Sequence, residues 1–489
     1  MCPPDGCPEN QALSTHQSLS NHQWKPEPEA AEWIGLQLTR LCHNNPLLND
    51  FSRLLNSRVS GRLIDWIDHL ELQSLSGIEE SGYREVGNDW YTHSGALLPP
   101  VQYGHRDNVY LKVDSVTDFV AANRWRFPFR LHGGPLDPVR SATIELDAPA
   151  GLGVVERHGI SPTASSITIP AETRVKTLSV FDEFVNRERT FPSEEHGFDA
   201  LTRLVDQAIL DVGQELACDA FFRAERSYWQ SRNRAAQVQY MRQQSLGLGW
   251  GNHDHHTYRS SRTSFHRLIA VFEQFGFQCR ERFYAGAEAG WGAQVLEHGP
   301  CGIVIFADVD LSASELSNDF AHQPLDETDT PGTIGLWCAL HGEAVFQAGM
   351  HHLECQFDFD LARAQLLKQK VRCMPPFTET PYLQQCFTEG ERWAVAPYKI
   401  TRALENNWIT DEQAQRFLAE GAIGSHLEIL ERNDGYRGFN QSGINDIIKR
   451  TDPRAFGDDL SPQQIIGQIL DVNESVADLE DSSEFILGD

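Results

Sequence analysis

One order of patterns runs twice through the second half of the chain. His255 to Arg259 alternates as a strand, and Ser264 to Gly276 carries Phe265, Leu268, Ile269, Phe272 and Phe275 at helical spacing. Cys279 to Tyr284, Trp291 to Glu297 and Gly302 to Val309 then alternate as three more strands. The order restarts at Gly349, with His351 to Phe357 as a strand and Asp360 to Val371 as a helix. An insertion with helices at Pro397 to Asn406 and Thr410 to Glu420 precedes a closing strand, Ile423 to Glu431; Thr410 and Gln413 have the spacing of a capping box. The expected fold is therefore α+β, with tandem βαβββ modules forming a pair of four-stranded sheets that curl around a shared cavity.

The rest of the chain supports a division into five parts. Residues 1–30 are rich in Pro, Ser, Gln and Asn and read as a disordered leader, and residues 451–489 as an acidic tail. Residues 31–195 read as an additional N-terminal α+β domain. Trp33, Leu36, Leu38, Leu41, Leu54, Leu55, Leu63, Ile64 and Ile67 carry a helical period there. Strands are expected at Val109 to Val113, Ala142 to Leu146 and Gly153 to Glu156, with a short helix from Val116 to Ala122 capped by Asp114 or Ser115. Residues 196–246 read as a helical bridge and 247–450 as the tandem-module domain.

Composition removes several function classes. The 489 residues include 41 Lys plus Arg against 69 Asp plus Glu, a net charge of −28, which repels nucleic acid and anionic lipid. No apolar run reaches the length that spans a bilayer, and no signal-peptide pattern precedes the first domain. The ten cysteines are scattered without a CxxC pair, as expected of reduced thiols in the cytoplasm. The expected partners are small molecules, with a homo-oligomer left open. A small anionic substrate then requires a local basic group inside an acidic exterior.

Three segments offer metal ligands: Asp254-His255-His256, His351-His352-Leu353-Glu354 and His426-Leu427-Glu428. Strand side chains alternate between faces, so one histidine of each pair faces the cavity. Glu354 shares the parity of His352, whereas Glu431 lies on the opposite face from Glu428. Two imidazoles and one carboxylate are the ligand set of non-haem Fe(II) sites that leave positions open for substrate and O₂. Arg259, four residues beyond His255 on the same face, offers a planar fork for a carboxylate, with Arg262 as a rival. Tyr258 and Trp291 are candidates to shape the pocket. His69 continues a helical period and reads as part of a helix; His93 and Glu156-Arg157-His158 are candidates for a separate site.

Glu428-Ile-Leu-Glu-Arg432, followed by Gly438-Phe439 and Gly443, resembles the C-terminal metal-ligand motif of 4-hydroxyphenylpyruvate dioxygenases. The chain departs from it with Glu431 for Gln, one extra residue before Gly438, and Ile444 for Asn. His255-His-Thr-Tyr-Arg259 resembles the first ligand strand of the 2-oxoadipate dioxygenase/decarboxylase family, in which a metal-binding His precedes a carboxylate-binding Arg by four residues. His352-Leu353 with Asp358 and Asp360 resembles that family's second ligand strand, at a shorter interval. Both families fall in the vicinal oxygen chelate superfamily, built from βαβββ modules. The resemblance covers roughly residues 250 to 450. It implies Fe(II) held by His255, His352 and Glu428, with Arg259 as the carboxylate clamp; beside it, Tyr258 is an expected substrate contact and Ile444 to Lys449 an expected lid helix. The implied activity is a dioxygenase acting on a 2-oxo acid with O₂. Rival classes are a glyoxalase-type lyase or isomerase and a non-catalytic small-molecule-binding protein.

Overall fold

A computed structural model describes residues 24–124, 126, 128–144, 149–164, 168–440 and 451–455. The expected lid, residues 444–449, Gly443 and nearly all of the leader and tail lie outside these residues. Two helices open the described chain, α1 (Pro28–Asn44) and α2 (Pro46–Val59). The helical period predicted to run on to Ile67 stops at Ser60, which is left-handed at φ 58° and caps α2. Leu63–Trp66 forms one 3-10 turn, and Asp68 and His69 then lie on a strand, contrary to the helical expectation. Burial on both faces of that strand hides the alternation that would have marked it.

The first half continues with β1 (Ile67–Leu72), β2 (Arg84–Gly87), β3 (Trp90–Thr92), β4 (Val101–Tyr103), β5 (Asp107–Lys112), α3 (Val116–Asn123), β6 (Phe129–His132), β7 (Val139–Ile144) and β8 (Ala150–Arg157). Ser115 caps α3 by accepting from the Asp118 amide. The eight strands form one sheet in the order β2-β3-β4-β1-β5-β8-β7-β6. Within it β5 runs parallel to β8, and β1 parallel to β4. Each is the first-to-last pairing of a four-stranded module, so this half is itself a pair of modules. The first of them replaces its helix by turns over residues 73–83.

Four helices follow in the chain, α4 (Ala171–Val185), α5 (Glu194–Val212), α6 (Gln214–Ser231) and α7 (Arg234–Gln244), the last three over the stretch expected as a helical bridge. Gly213, at φ 89°, separates α5 from α6. Helix α6 buries Phe221 and Phe222 against Phe272 and Phe275, and Trp229 against Trp250. Each such side chain contributes roughly 1.5–3 kcal/mol by burial.

The second half follows the expected order: β9 (His253–Arg259), α8 (Phe265–Gln274), β10 (Gln278–Tyr284), β11 (Trp291–His298), β12 (Ile303–Asp310), α9 (Thr333–His341), β13 (His352–Gln356), α10 (Phe359–Lys368), β14 (Thr378–Thr380), β15 (Leu383–Phe387), β16 (Glu391–Trp393), α11 (Pro397–Glu405), α12 (Asp411–Glu420) and β17 (Ala422–Arg432). The capping box of α12 forms through Thr410 and Gln413. Instead of two sheets, antiparallel pairing of β9 with β13 joins both modules into one, β10-β11-β12-β9-β13-β17-β15-β14, with β16 on β17. Phe283 near one edge and Phe377 beside the other line the same cavity, so the sheet curls around it. No helix among the described residues is long and apolar enough to cross a membrane.

Candidate metal centre

The site sits at the seam where β9 meets β13. His352 pairs with Thr257 and Glu354 with His255 across that antiparallel ladder, while Glu428 lies beside Glu354 on parallel β17. Alternation turns His255, Thr257 and Arg259 into the cavity with His352, Glu354 and Glu428. Both imidazole Nε2 atoms reach one oxygen, Glu354 Oε1, at 2.9 Å from His255 and 2.5 Å from His352. Glu428 Oε2 is 3.6 Å from His352 Nε2. Ligand atoms of His255, Glu354 and Glu428 all lie within 4.8 Å of one another.

Hydrogen bonds fix the orientation of these groups. Asp254 accepts Arg432 Nε at 3.0 Å and Nη2 at 3.1 Å, and Gln356 Nε2 at 3.1 Å. Despite its burial, Arg432 and His255 hold its carboxyl well below the usual range. The ionised Asp254 can only accept, so His255 Nδ1–H donates to it at 2.8 Å and the Nε2 lone pair faces the cavity. Burial lowers the pKa of His255 and keeps that of His352 well below its ordinary value, so both rings are neutral at neutral pH. Gln385 Nε2 donates to Glu428 Oε1 at 2.7 Å and Thr257 donates to Glu354 Oε1 at 3.0 Å. Burial, with Glu428 close by, pushes Glu354 well above the carboxylate range; burial also raises Glu428, to about 7. Glu354 Oε2 and His352 Nδ1 are buried without a hydrogen-bond partner.

Of the histidine pairs, His255 and His352 face the cavity. His256 packs edge-on to Phe222, and His351 Nδ1 bonds the Gly424 carbonyl at 3.0 Å. Glu431 points away, as its parity requires, and accepts the Phe359 amide at the start of α10 at 2.7 Å. Tyr258, expected to touch substrate, is on the opposite face of β9, fully buried against Phe222 and Phe272. Arg262 bonds Glu315 and the Asp310 carbonyl instead of entering the cavity. Trp291 does line it.

Arg259 reaches the same cavity, and its Nε and Nη1 are buried without partners. Asp308, its neighbour in the β9–β12 register, also has a buried oxygen without a partner. Burial raises the Asp308 carboxyl to about 8 against the lowering effect of Arg259. The cavity measures about 80 Å³, and Phe283, Phe306, Phe377, Phe387 and Phe439 wall it with aromatic surface.

Glu354 as a central group, Asp254, Asp308 and Gln385 are the members that strand parity and motif spacing did not single out. Asp254 carried a signal: an acid directly before a candidate ligand, with an arginine four residues after the candidate carboxylate. The same signal stands in the first half. Asp68 accepts His69 Nδ1–H at 2.6 Å and Arg157 Nε and Nη2, both at 2.8 Å, as Asp254 accepts His255 and Arg432. By register, Tyr110 stands where Glu354 stands and Gly153 where Glu428 stands. The Tyr110 ring stacks on His69 at 4.3 Å and fills the equivalent space. A Cβ at Gly153 would lie 2.7 Å from that ring. His158 bonds Glu156 at 2.9 Å and Asp219 at 3.0 Å, while His93 packs edge-on to Tyr83.

Four-stranded modules, each with two antiparallel ladders and a parallel pairing of its first strand with its last, repeat through both halves and identify the architecture. The fold is of the vicinal oxygen chelate type. No family model and no curated protein matches the sequence. Among solved structures, the chain is similar to a mutant 4-hydroxymandelate synthase from Streptomyces coelicolor, at 14% identity over 68% of this chain and 94% of that one, with a TM-score of 0.28. It is also similar to a methylmalonyl-CoA epimerase from Mycobacterium tuberculosis (14% identity, 37% and 88% covered, TM-score 0.22). A third is the Mn(II)-bound glyoxalase from Novosphingobium aromaticivorans (9% identity, 76% and 82% covered, TM-score 0.17). At these scores the neighbours carry no argument about activity, and function rests on the site of this chain alone.

Proposed function

We propose that the chain is a metal-dependent enzyme, an Fe(II) dioxygenase acting on a small 2-oxo acid, with His255, His352 and Glu428 as ligands and Arg259 as the carboxylate anchor. The observation that carries the reading is the meeting of two neutral imidazole Nε2 atoms at one buried oxygen, Glu354 Oε1, with Glu428 Oε2 3.6 Å from the His352 Nε2. Two buried carboxylates beside two neutral rings form a donor set that a divalent cation would satisfy. Iron bound there would supply a Lewis acid and a centre able to activate O₂.

The protein's own groups define the rest of the reaction. Asp254 keeps the proton on His255 Nδ1 and thus the donor electron pair on Nε2. Arg259 is a buried guanidinium with two unpartnered nitrogens in the cavity, and a carboxylate is the planar acceptor that matches them. The aromatic walls exclude water, and about 80 Å³ suits a small acid rather than a drug-sized ligand. Asp308, protonated at neutral pH, can donate a hydrogen bond to a substrate oxygen near Arg259.

A second reading draws support from Glu354. As a fourth ligand it would leave fewer open positions and favour redox-inactive lyase or isomerase chemistry of the glyoxalase type. One experiment separates the two. Protein reconstituted anaerobically with Fe(II) is exposed to O₂ with a panel of 2-oxo acids, in wild-type and Glu354→Ala forms. Oxygen uptake coupled to substrate loss supports the dioxygenase. Substrate conversion without oxygen uptake supports the second reading, and absence of stoichiometric metal binding overturns both.

A further inference from the structure

A different ligand set lies at the opposite end of β11. Cys218 of α6 is fully buried, His298 ends β11 and is buried, and Cys301 is partly exposed in the turn to β12. Their ligand atoms all lie within 4.8 Å of one another. We propose that Cys218, His298 and Cys301 form a second metal site, for zinc or a cation of similar softness, distinct from the carboxylate-rich centre at the β9–β13 seam.

The donor chemistry fits that cation class. Two thiolates and an imidazole are a soft set that selects Zn²⁺ or Cu⁺ over Mg²⁺ or Ca²⁺. Tetrahedral zinc with such ligands needs donor separations of roughly 3.5–3.8 Å, so the three atoms, now within 4.8 Å of one another, close by about 1.3 Å at most. His298 Nδ1 accepts the Cys301 amide at 3.2 Å, so its unprotonated nitrogen already faces Cys301. Metal capture exchanges this long contact for a coordinate bond. Phe277 packs on the His298 ring at 5.2 Å and holds it in place.

Metal binding displaces the thiol protons, so affinity should fall as pH falls. Access is provided because Cys301 lies on the wall of a cavity of about 870 Å³, which Lys112, Arg157 and Asp219 also line. With Cys301 on that wall, an outside donor can reach the fourth position of a three-ligand site.

Sulfur makes the test specific. Full-length protein, stripped of metal and kept reduced, is titrated with Co²⁺ while the near-ultraviolet thiolate-to-cobalt charge-transfer band is recorded. The seam site contains no sulfur and cannot produce the band. The expected result is one equivalent of thiolate-bound cobalt, displaced by Zn²⁺, retained in His255→Ala and lost in Cys218→Ser and Cys301→Ser. If the buried Cys218→Ser variant fails to fold, Cys301→Ser, in an exposed turn, and His298→Gln, with at least tenfold weaker binding, keep the test intact. Absence of the band in reduced wild type, or its persistence in Cys301→Ser, overturns the proposal.

Discussion

Asp254 and Asp68 allow the function of one side chain to be measured against an internal reference. Asp254 takes both nitrogens of a buried Arg432 and the Nδ1–H of His255; Asp68 takes both of Arg157 and the Nδ1–H of His69. Replacing either by Asn removes the negative charge and leaves a buried guanidinium poorly paired, which costs about 3–5 kcal/mol. Both variants should therefore lose that much stability in urea denaturation of chelator-treated protein at pH 7. Because burial is outweighed by the arginine and histidine in depressing both carboxyls, the contribution is present above about pH 4 and fades as pH falls further. The wild-type advantage over either variant should shrink there.

Metal binding should divide the two. Asp254→Asn deprives His255, a proposed ligand, of its charged acceptor, and such outer contacts are typically worth about 10–100-fold in affinity. That is about 1.4–2.7 kcal/mol. Asp68→Asn should leave affinity unchanged, because Tyr110 fills the space beside His69. Competition with a chromophoric chelator measures both. Asp254→Asn affinity within twofold of wild type, or an equal loss in Asp68→Asn, would refute the reasoning.

Two further outcomes follow from buried titrating groups. Burial opposes protonation of His158, yet Asp219 and Glu156 raise it to about 9, so its ion pairs stabilise fully below about pH 6.5 and are lost as pH rises through 9. Against His158→Gln, wild type should lead by about 3 kcal/mol at pH 6 and lose that lead by pH 10; a pH-independent difference in denaturation midpoint would contradict this. Asp308 is held neutral up to about 8 while the unfolded chain ionises near 4, so it costs stability progressively across that interval. In metal-free protein, Asp308→Asn should gain several kcal/mol on wild type between pH 4 and 8, and parallel pH profiles would dispose of the assignment.

The second half was legible because its strands begin on His-rich segments and its helices carry strong apolar periods, as Phe265 to Phe272 shows. Parity placed His352, Glu428 and Arg259 on one face and Glu431 on the other. The first half was harder to read for identifiable reasons. β1 is buried on both sides, its module has turns where a helix would mark the repeat, and β2 to β4 span only three or four residues each. Tyr258 misled because an aromatic next to a candidate ligand on the same strand faces the core by alternation. Glu354 could be placed on the correct face, but only pairing across β9 and β13 brings it between the two imidazoles.

That pairing has a topological consequence. His255 belongs to one module and His352, Glu354 and Glu428 to the next, so neither module alone contains a complete chelating set. Occupancy by an ion therefore reports that two independently wound pieces have docked in register. A slip of one residue along the seam would send the donors into the hydrophobic interior.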